Sequence, residues 1–377
     1  MMGRSSVRAG GYNSFWRQLD YWLLVPVLCI CTIGLFTLNK VLRNNFPSGY
    51  PRNIIIQVVS VLIGLVLLFI IVRMGVDFLP KIGWIMYGVA IVLQALLPIF
   101  GDKDIAAVTG SNSWLEIPVI GSIQPSEFSK VALAILVPII LQKIKIRDYS
   151  YLKGFGLILL LTAPHFLLIL GYQNDFGTAL VLVILLAAMI FVWGIRIRYV
   201  ILILSLFIIA FPFAWLFYFE DFQKIRFLSF LYPGFDPQAS YNVDQAKKAI
   251  ALGGLTGNRT GEFISVPVQE SDFIFSAVAE MMGFVGAAAL IILIFIYLIR
   301  GLYIASNAMS PQEQYMATGI STVFAFHSVE NIGMCMGLFP VTGIPLPFVS
   351  QGGSAMVANF ISLAVLITIS SHRRRRT

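Results

Sequence analysis

Apolar runs of about 20 residues recur along this chain from Tyr21 almost to its end. Nothing else constrains the fold as much, because a helix rising 1.5 Å per residue needs about that length to cross the roughly 30 Å hydrocarbon core of a bilayer. In lipid every backbone N–H and C=O must find a partner within the protein, so only helices and closed barrels can span. The runs lack the ten-residue alternation of barrel strands. Charged residues make up 12% of the chain, against roughly 25% in soluble proteins. The expected fold class is an all-α polytopic membrane protein.

About ten transmembrane helices are expected, near 21–38, 54–72, 82–99, 124–142, 154–170, 175–193, 198–219, 273–299, 312–337 and 345–370. The first run is too long for a signal-peptide core and has no A-x-A-like cleavage site, so it stays with the protein. Residues 1–377 read as one transmembrane domain. It has a cytoplasmic segment at 1–20, a large outer loop at 220–272 between helices seven and eight, and a basic cytoplasmic tail at 371–377. Lys and Arg placement sets the orientation. With the N-terminus inside, inner segments hold most of the cations, including Arg4, Arg8, Lys143, Lys145, Arg147, Lys153 and Arg373 to Arg376. Both termini are therefore expected in the cytoplasm. The net charge of +8 is largely this inner excess, facing anionic lipid headgroups. The closing "HRRRR" directly follows a span and reads as a topological anchor, so no nucleic-acid partner is expected. Cys29, Cys31 and Cys335 show neither metal nor disulfide spacing and read as packing residues.

Two outer connections, 101–123 and 220–272, are long. The second is rich in aromatics ("FEDFQKIRFLSFLYPGFDP"), unlike a flexible tether. It also carries a short helical pattern, Val243, Ala246 and Ile250, that stops at Gly253 and Gly254. A partly helical extracytoplasmic cap is expected.

Three spans begin at the outer face with an acid: "QPSEFSK" with Glu127, "QNDFGT" with Asp175 and "ESDFIF" with Asp272. Capping of free N–H groups accounts for any one of them, and Pro125 suits a first helical position. Glu127 and Lys130 are three apart and can pair. A charge at mid-bilayer costs about 2.5–3.5 kcal/mol, so such groups face a cavity or a partner. A structural ion pair fits these two as well as a catalytic one, and Asp175 fits a cap as well as a site. Asp272 closes the loop that also supplies Arg226, Lys247 and Lys248. An acid beside cations suits a general base next to an anionic substrate, with the cations neutralising a diphosphate leaving group. In "FHSVENIG", His327, Glu330 and Asn331 line one face of span nine, for interhelical hydrogen bonds or a proton relay. Glu280, two turns below Asp272, reads as bonding to neighbouring helices. No P-loop, H-E-x-x-H, C-x-x-C or nucleophile elbow is present.

These stretches together resemble the SEDS family of shape, elongation, division and sporulation proteins, over nearly the whole chain. "GSNSWLEIPVIGSIQPSEFSK" is similar to its first outer loop, "QNDFGTALV" to its P-D-x-G-T motif and "VQESDFIFSAVAEMMGFVG" to its D-F-I-F signature. "NIGMCMGLFPVTGIPLPFVSQGGS" resembles its C-terminal signature, and the "PVTGIPLPF" wording leans to the RodA branch. The resemblance implies a ten-span glycosyltransferase of the bacterial cytoplasmic membrane. It would polymerise lipid II, an undecaprenyl diphosphate-linked substrate, into glycan strands on the outer side. It would work beside a class B penicillin-binding protein that supplies the transpeptidase. Asp272 falls on the proposed catalytic aspartate. Gln124, Glu127 and Lys130 fall on the Q-P-S-E-x-x-K motif, Asp175 on the P-D-x-G-T aspartate and Arg226 on the loop's arginine. With Lys247 and Lys248 these are the candidate substrate-binding residues. Departures are Ser113 where the family has arginine, Asn174 for proline, "GNR" for G-K-G, Gln351 for tyrosine and His327 for glutamine.

No cofactor is required by the sequence. A divalent cation, Mg or Mn, could assist at the diphosphate, but no ligand cluster is dedicated to it. Two other functions remain open. A flippase or secondary transporter of a lipid-linked precursor would use polar groups near the midplane, as His327, Glu330 and Glu280 are. A noncatalytic scaffold for a transpeptidase would tolerate the loss of the arginine at 113.

Overall fold

The apolar runs fold as helices wherever their backbone is free to close its own hydrogen bonds. In the computed structural model residues 18–45, 50–101, 111–117, 121–217, 219–232 and 234–376 are described. The chain runs through α1 (Tyr21–Asn45), α2 (Tyr50–Met74), α3 (Leu79–Phe100), α4 (Pro125–Lys145), α5 (Tyr151–Gly171), α6 (Phe176–Trp193) and α7 (Ile197–Phe217). Two shorter helices follow, α8 (Asp221–Leu231) and α9 (Pro237–Leu252), then α10 (Ile274–Ser306), α11 (Pro311–Cys335) and α12 (Gly353–Arg376). Seven of these helices, α1, α2, α3, α5, α6, α10 and α12, are long and apolar enough to cross a membrane. The protein is a multi-pass, all-α membrane protein. Among the described residues a small antiparallel hairpin, β1 (Leu115–Ile117) with β2 (Gly121–Ile123), is the exception, in the connection before α4.

Helices α4 and α12 form the centre. Residues Val131 to Val137 of α4 are buried without a break, as are Leu363 to Ile367 of α12. Around them α2 packs on α12, α3 on α4, α1 and α11 on α10, and α6 on α11. Helices α3, α5 and α7 turn large side chains outward, among them Ile99, Leu160 and Phe213, as a lipid-facing surface requires.

Two elements depart from the periodic reading. The last span begins at Gly353 rather than 345. Pro345 and Pro347 offer no N–H, and Phe348 has φ +64°, so the stretch before Gly353 cannot join the helix. Helix α10 is broken at Gly283, whose φ of +64° leaves the helical region. The loop after α9 fills the break. The Phe284 N–H donates to Gly254 O at 2.8 Å, Val285 N–H to Leu255 O at 3.1 Å, and Asn258 N–H to Glu280 O at 2.7 Å. The freed backbone groups of α10 are thus satisfied by the loop. A Cβ on Gly283 would stand 2.4 Å from the Gly257 nitrogen, so only glycine fits.

The N-terminal segment expected at 1–20 lies mostly outside the described residues, with Arg4 and Arg8. Its last residue, Asp20, is fully buried and takes three hydrogen bonds from Arg300 at 2.7–3.1 Å and one from Ser370 at 2.5 Å. The expected tail at 371–377 begins within α12, which continues to Arg376.

Candidate active site

The turn that carries Asp272 is fixed by its own carbonyls. Val268, left-handed at φ +56°, accepts from the N–H groups of Ser271, Asp272 and Phe273 at 3.1–3.4 Å. Three successive carbonyls are then taken by groups from outside the turn. Glu270 O accepts Gln351 N–H at 2.8 Å, Ser271 O accepts Ser350 Oγ at 2.5 Å and Asp272 O accepts Asn331 Nδ2 at 2.7 Å. Asn331 also donates to Ile344 O at 2.9 Å, and Gln57 of α2 holds the same segment through Ser350 O and Gly352 N–H. The side chain of Asp272 meets Gly343, φ +75°, where a Cβ would stand 3.4 Å from Oδ2.

Asp272 does not cap α10; the cap position is Phe273, without a side-chain bond. Burial pushes its carboxyl up to about 6, the Ser271 hydrogen bond and the Arg226 charge hold the rise back, and Asp175 adds to it. The residue keeps part of its surface open, and water reaching it tempers the rise. Arg226, on α8, is itself lowered by burial and supported by Asp272.

Asp175 is a helix cap. Its Oδ1 accepts the Thr178 N–H at 2.9 Å, and its Oδ2 accepts the Thr178 hydroxyl at 2.8 Å, Gln124 Nε2 at 3.2 Å and Ser113 Oγ at 3.2 Å. Four donors on one carboxylate leave little capacity for taking a substrate proton. Ser113 therefore ties the first outer loop to α6. Next door, Asn174 adopts φ +54°, which a proline locked near −65° could not. Its amide donates to Glu220 Oε1 at 2.8 Å, fastening the start of α8 and so the helix that bears Arg226.

Glu127 and Lys130 do not cap either. They form a buried ion pair at 2.7 Å, and Lys130 Nζ reaches His327 Nε2 at 3.2 Å. Beside them lies a cavity of about 20 Å³, lined by Asn359 and Ser362 among others, on a scale where one water needs roughly 10–15 Å³. Lys247 and Lys248 are exposed on α9. Lys247 sits 3.7 Å from Asp244 and packs over Gly337. Glu280, expected to bond to helices, instead accepts the Ile264 N–H of the outer loop at 2.8 Å.

The structure thus gathers Asp272, Arg226, Asp175 and Gln124 on one side, with Glu127 and Lys130 as a separate pair joined to His327. Sequence reasoning missed Gln57, Thr342, Gly343 and Ser350. The signal for Gln57 was there, a lone amide in "IIIQVVSVLIGL".

A family model for FtsW, RodA and SpoVE, described as "Cell cycle protein", matches residues 14–375. The chain belongs to this family. As a member of the FtsW, RodA and SpoVE family, it is similar to the peptidoglycan glycosyltransferase MrdB of Escherichia coli strain K12, with 31% identity over 327 residues, 84% of this chain and 85% of MrdB. Stage V sporulation protein E of Bacillus subtilis strain 168 is 32% identical over 365 residues, 94% of this chain and 98% of its own. The solved RodA of Thermus thermophilus superposes with a TM-score of 0.68 at 26% identity, covering 96% of this chain and 99% of RodA. A chain solved in work described as "Structural coordination of polymerization and crosslinking by a peptidoglycan synthase complex" gives 0.79 at 27% identity, covering 94% and 98%.

Proposed function

We propose that this family member is a peptidoglycan glycosyltransferase that polymerises lipid II at the outer face of the bacterial cytoplasmic membrane, with both termini inside. One observation carries the assignment of chemistry: a partly open carboxyl, Asp272, raised to about 6 by burial and within electrostatic reach of the Arg226 guanidinium. Near neutral pH such a group is ionised yet basic enough to take a proton, as a general base requires. Asp272 removes the proton of the acceptor sugar hydroxyl as that oxygen attacks the anomeric carbon of the growing chain. The bond to the undecaprenyl diphosphate breaks, and Arg226 stabilises the charge that develops on the leaving oxygen. Attack from the face opposite the diphosphate inverts the anomeric centre. Gln124 and Asp175 order the outer ends of α4 and α6 around this space. Lys247 and Lys248 line its rim, where they attract the anionic headgroup.

Among the described residues no group of three or more His, Cys, Asp or Glu side chains stands together to hold a metal ion. A magnesium or manganese ion would then arrive on the substrate's own diphosphate, as Mg²⁺ commonly does; chelation during the assay tests this. A class B penicillin-binding protein is the proposed partner, since a structural neighbour was solved in work on coordinated polymerisation and crosslinking. The deciding experiment is polymerisation of lipid II by the purified chain, with and without that partner, for the wild type and Asp272→Asn. Normal glycan from the variant removes the assignment. Translocation of lipid II in proteoliposomes without glycan growth would favour a transporter, to which the Glu127–Lys130–His327 cluster lends its support.

A further inference from the structure

Glu330 is an acid that the proposed reaction leaves unused. It lies on α11 and is 4% exposed. Its Oε1 accepts the Thr342 hydroxyl, while Oε2 has no hydrogen-bond partner among the described residues. A carboxyl taken out of water needs partners to hold it, and the neighbours of this one indicate a role. The next residue on α11, Asn331, donates to the carbonyl of Asp272 at 2.7 Å. The residue after Thr342 is Gly343, which faces Asp272 Oδ2. Two consecutive pairs, Glu330–Asn331 and Thr342–Gly343, are thus bonded to each other and each touches Asp272 through its second member.

We propose that Glu330 is a positioning residue for Asp272: through Thr342 it clamps the Gly343 turn against the base. The proposal rests on Asp272 being the base. The charged and titratable groups around the pair come from several elements. Glu270 belongs to the same turn, Arg226 comes from α8 and Asp175 from the start of α6. Cys335 of α11 lies within electrostatic reach of both carboxyls, and Glu330 itself feels Asp272. Lys247 of α9 packs over Gly337, a few residues along the same connection. Arg226 favours the ionised form of Asp272 and Asp175 opposes it, so Glu330 acts on the base through position. A purely structural anchor would behave differently, since stability and activity would then fall together.

The test measures kcat with lipid II and the melting temperature of the full chain. The variants are Glu330→Gln, Glu330→Leu and Thr342→Val. Glu330→Gln keeps an oxygen for the Thr342 hydroxyl, so its rate should stay within about twofold of wild type. Glu330→Leu breaks the bond, and kcat should fall about tenfold at unchanged KM as the base is displaced. Thr342→Val breaks it from the other side and should fall about as far. A wild-type rate in Glu330→Leu would overturn the proposal. So would a proportional loss of stability and activity in Glu330→Leu. If the Glu330 variants fail to fold, a full rate in Thr342→Val overturns it alone. An inactive Asp272→Asn beside a wild-type rate in Glu330→Leu strikes only this inference, whereas an active Asp272→Asn strikes the base assignment beneath it.

Discussion

At the scale of single residues, Asp272 is placed at the expense of stability. Its carboxyl is raised from 3.8 to about 6, so the folded protein binds the proton more tightly than the unfolded chain does. The stabilisation this gives is complete below about pH 4 and is lost as pH rises through about 6. Near pH 7 the ionised carboxylate therefore opposes folding, by up to about 3 kcal/mol at 1.36 kcal/mol per unit, and by less where water screens it. Asp272→Asn should raise the melting temperature while lowering polymerisation roughly 10²–10⁴-fold. A structural aspartate would lower both, and thermal melting beside a glycan assay separates the cases. The same carboxyl should set the pH response. Because the proposed base must be ionised, the rate should fall about tenfold per unit below about pH 6. A pH-rate profile with lipid II in excess checks this.

At the scale of elements, the break in α10 joins the helix that follows Asp272 to the loop after α9. Glycine at 283 supplies the left-handed backbone, and the loop supplies the hydrogen bonds that the helix gives up there. A side chain at 283 would collide with Leu255 and Gly257. Gly283→Ala should cost about 1–3 kcal/mol and free the 253–264 segment, seen as a lower melting temperature with faster proteolysis in the loop. At the other wall, Gly343→Ala would force φ +75° on an alanine and bring a methyl to 3.4 Å from Asp272 Oδ2. It should reduce kcat more than stability, as kinetics and melting of the purified variant would show.

At the scale of the whole molecule, the Glu127–Lys130 pair couples α4 to α11 through His327 in the middle of the bundle. Breaking a buried pair from one side leaves an uncompensated charge, at a cost of about 3–5 kcal/mol. Lys130→Met should therefore destabilise the protein strongly, and the double variant Glu127→Gln, Lys130→Met should regain most of the loss. Melting curves in detergent micelles measure this. Polymerisation by the double variant then shows whether the pair also handles substrate: recovered activity makes it structural, and persistent loss places it in the site.

The sequence by itself determined the class of fold, because hydropathy over about 20 residues is a local property and lipid permits few ways to satisfy a backbone. The Gly253 stop of α9 was legible too, and Asp272 and Arg226, the proposed base and its cation, sit in motifs readable along the chain. Which acid does what was decided only in three dimensions. Asp175, Glu127 and Asp272 each stand at the head of a span, yet one caps, one pairs and one is left open. The difference lies in partners 51 to 230 residues away, such as Gln124 for Asp175 and Ser354 for Gln124. Glu330 gained its place beside Asp272 in the same way, through a turn that local periodicity reads as more helix. Hydrogen bonds between distant segments carry no periodic signal, so only the folded chain could reveal them.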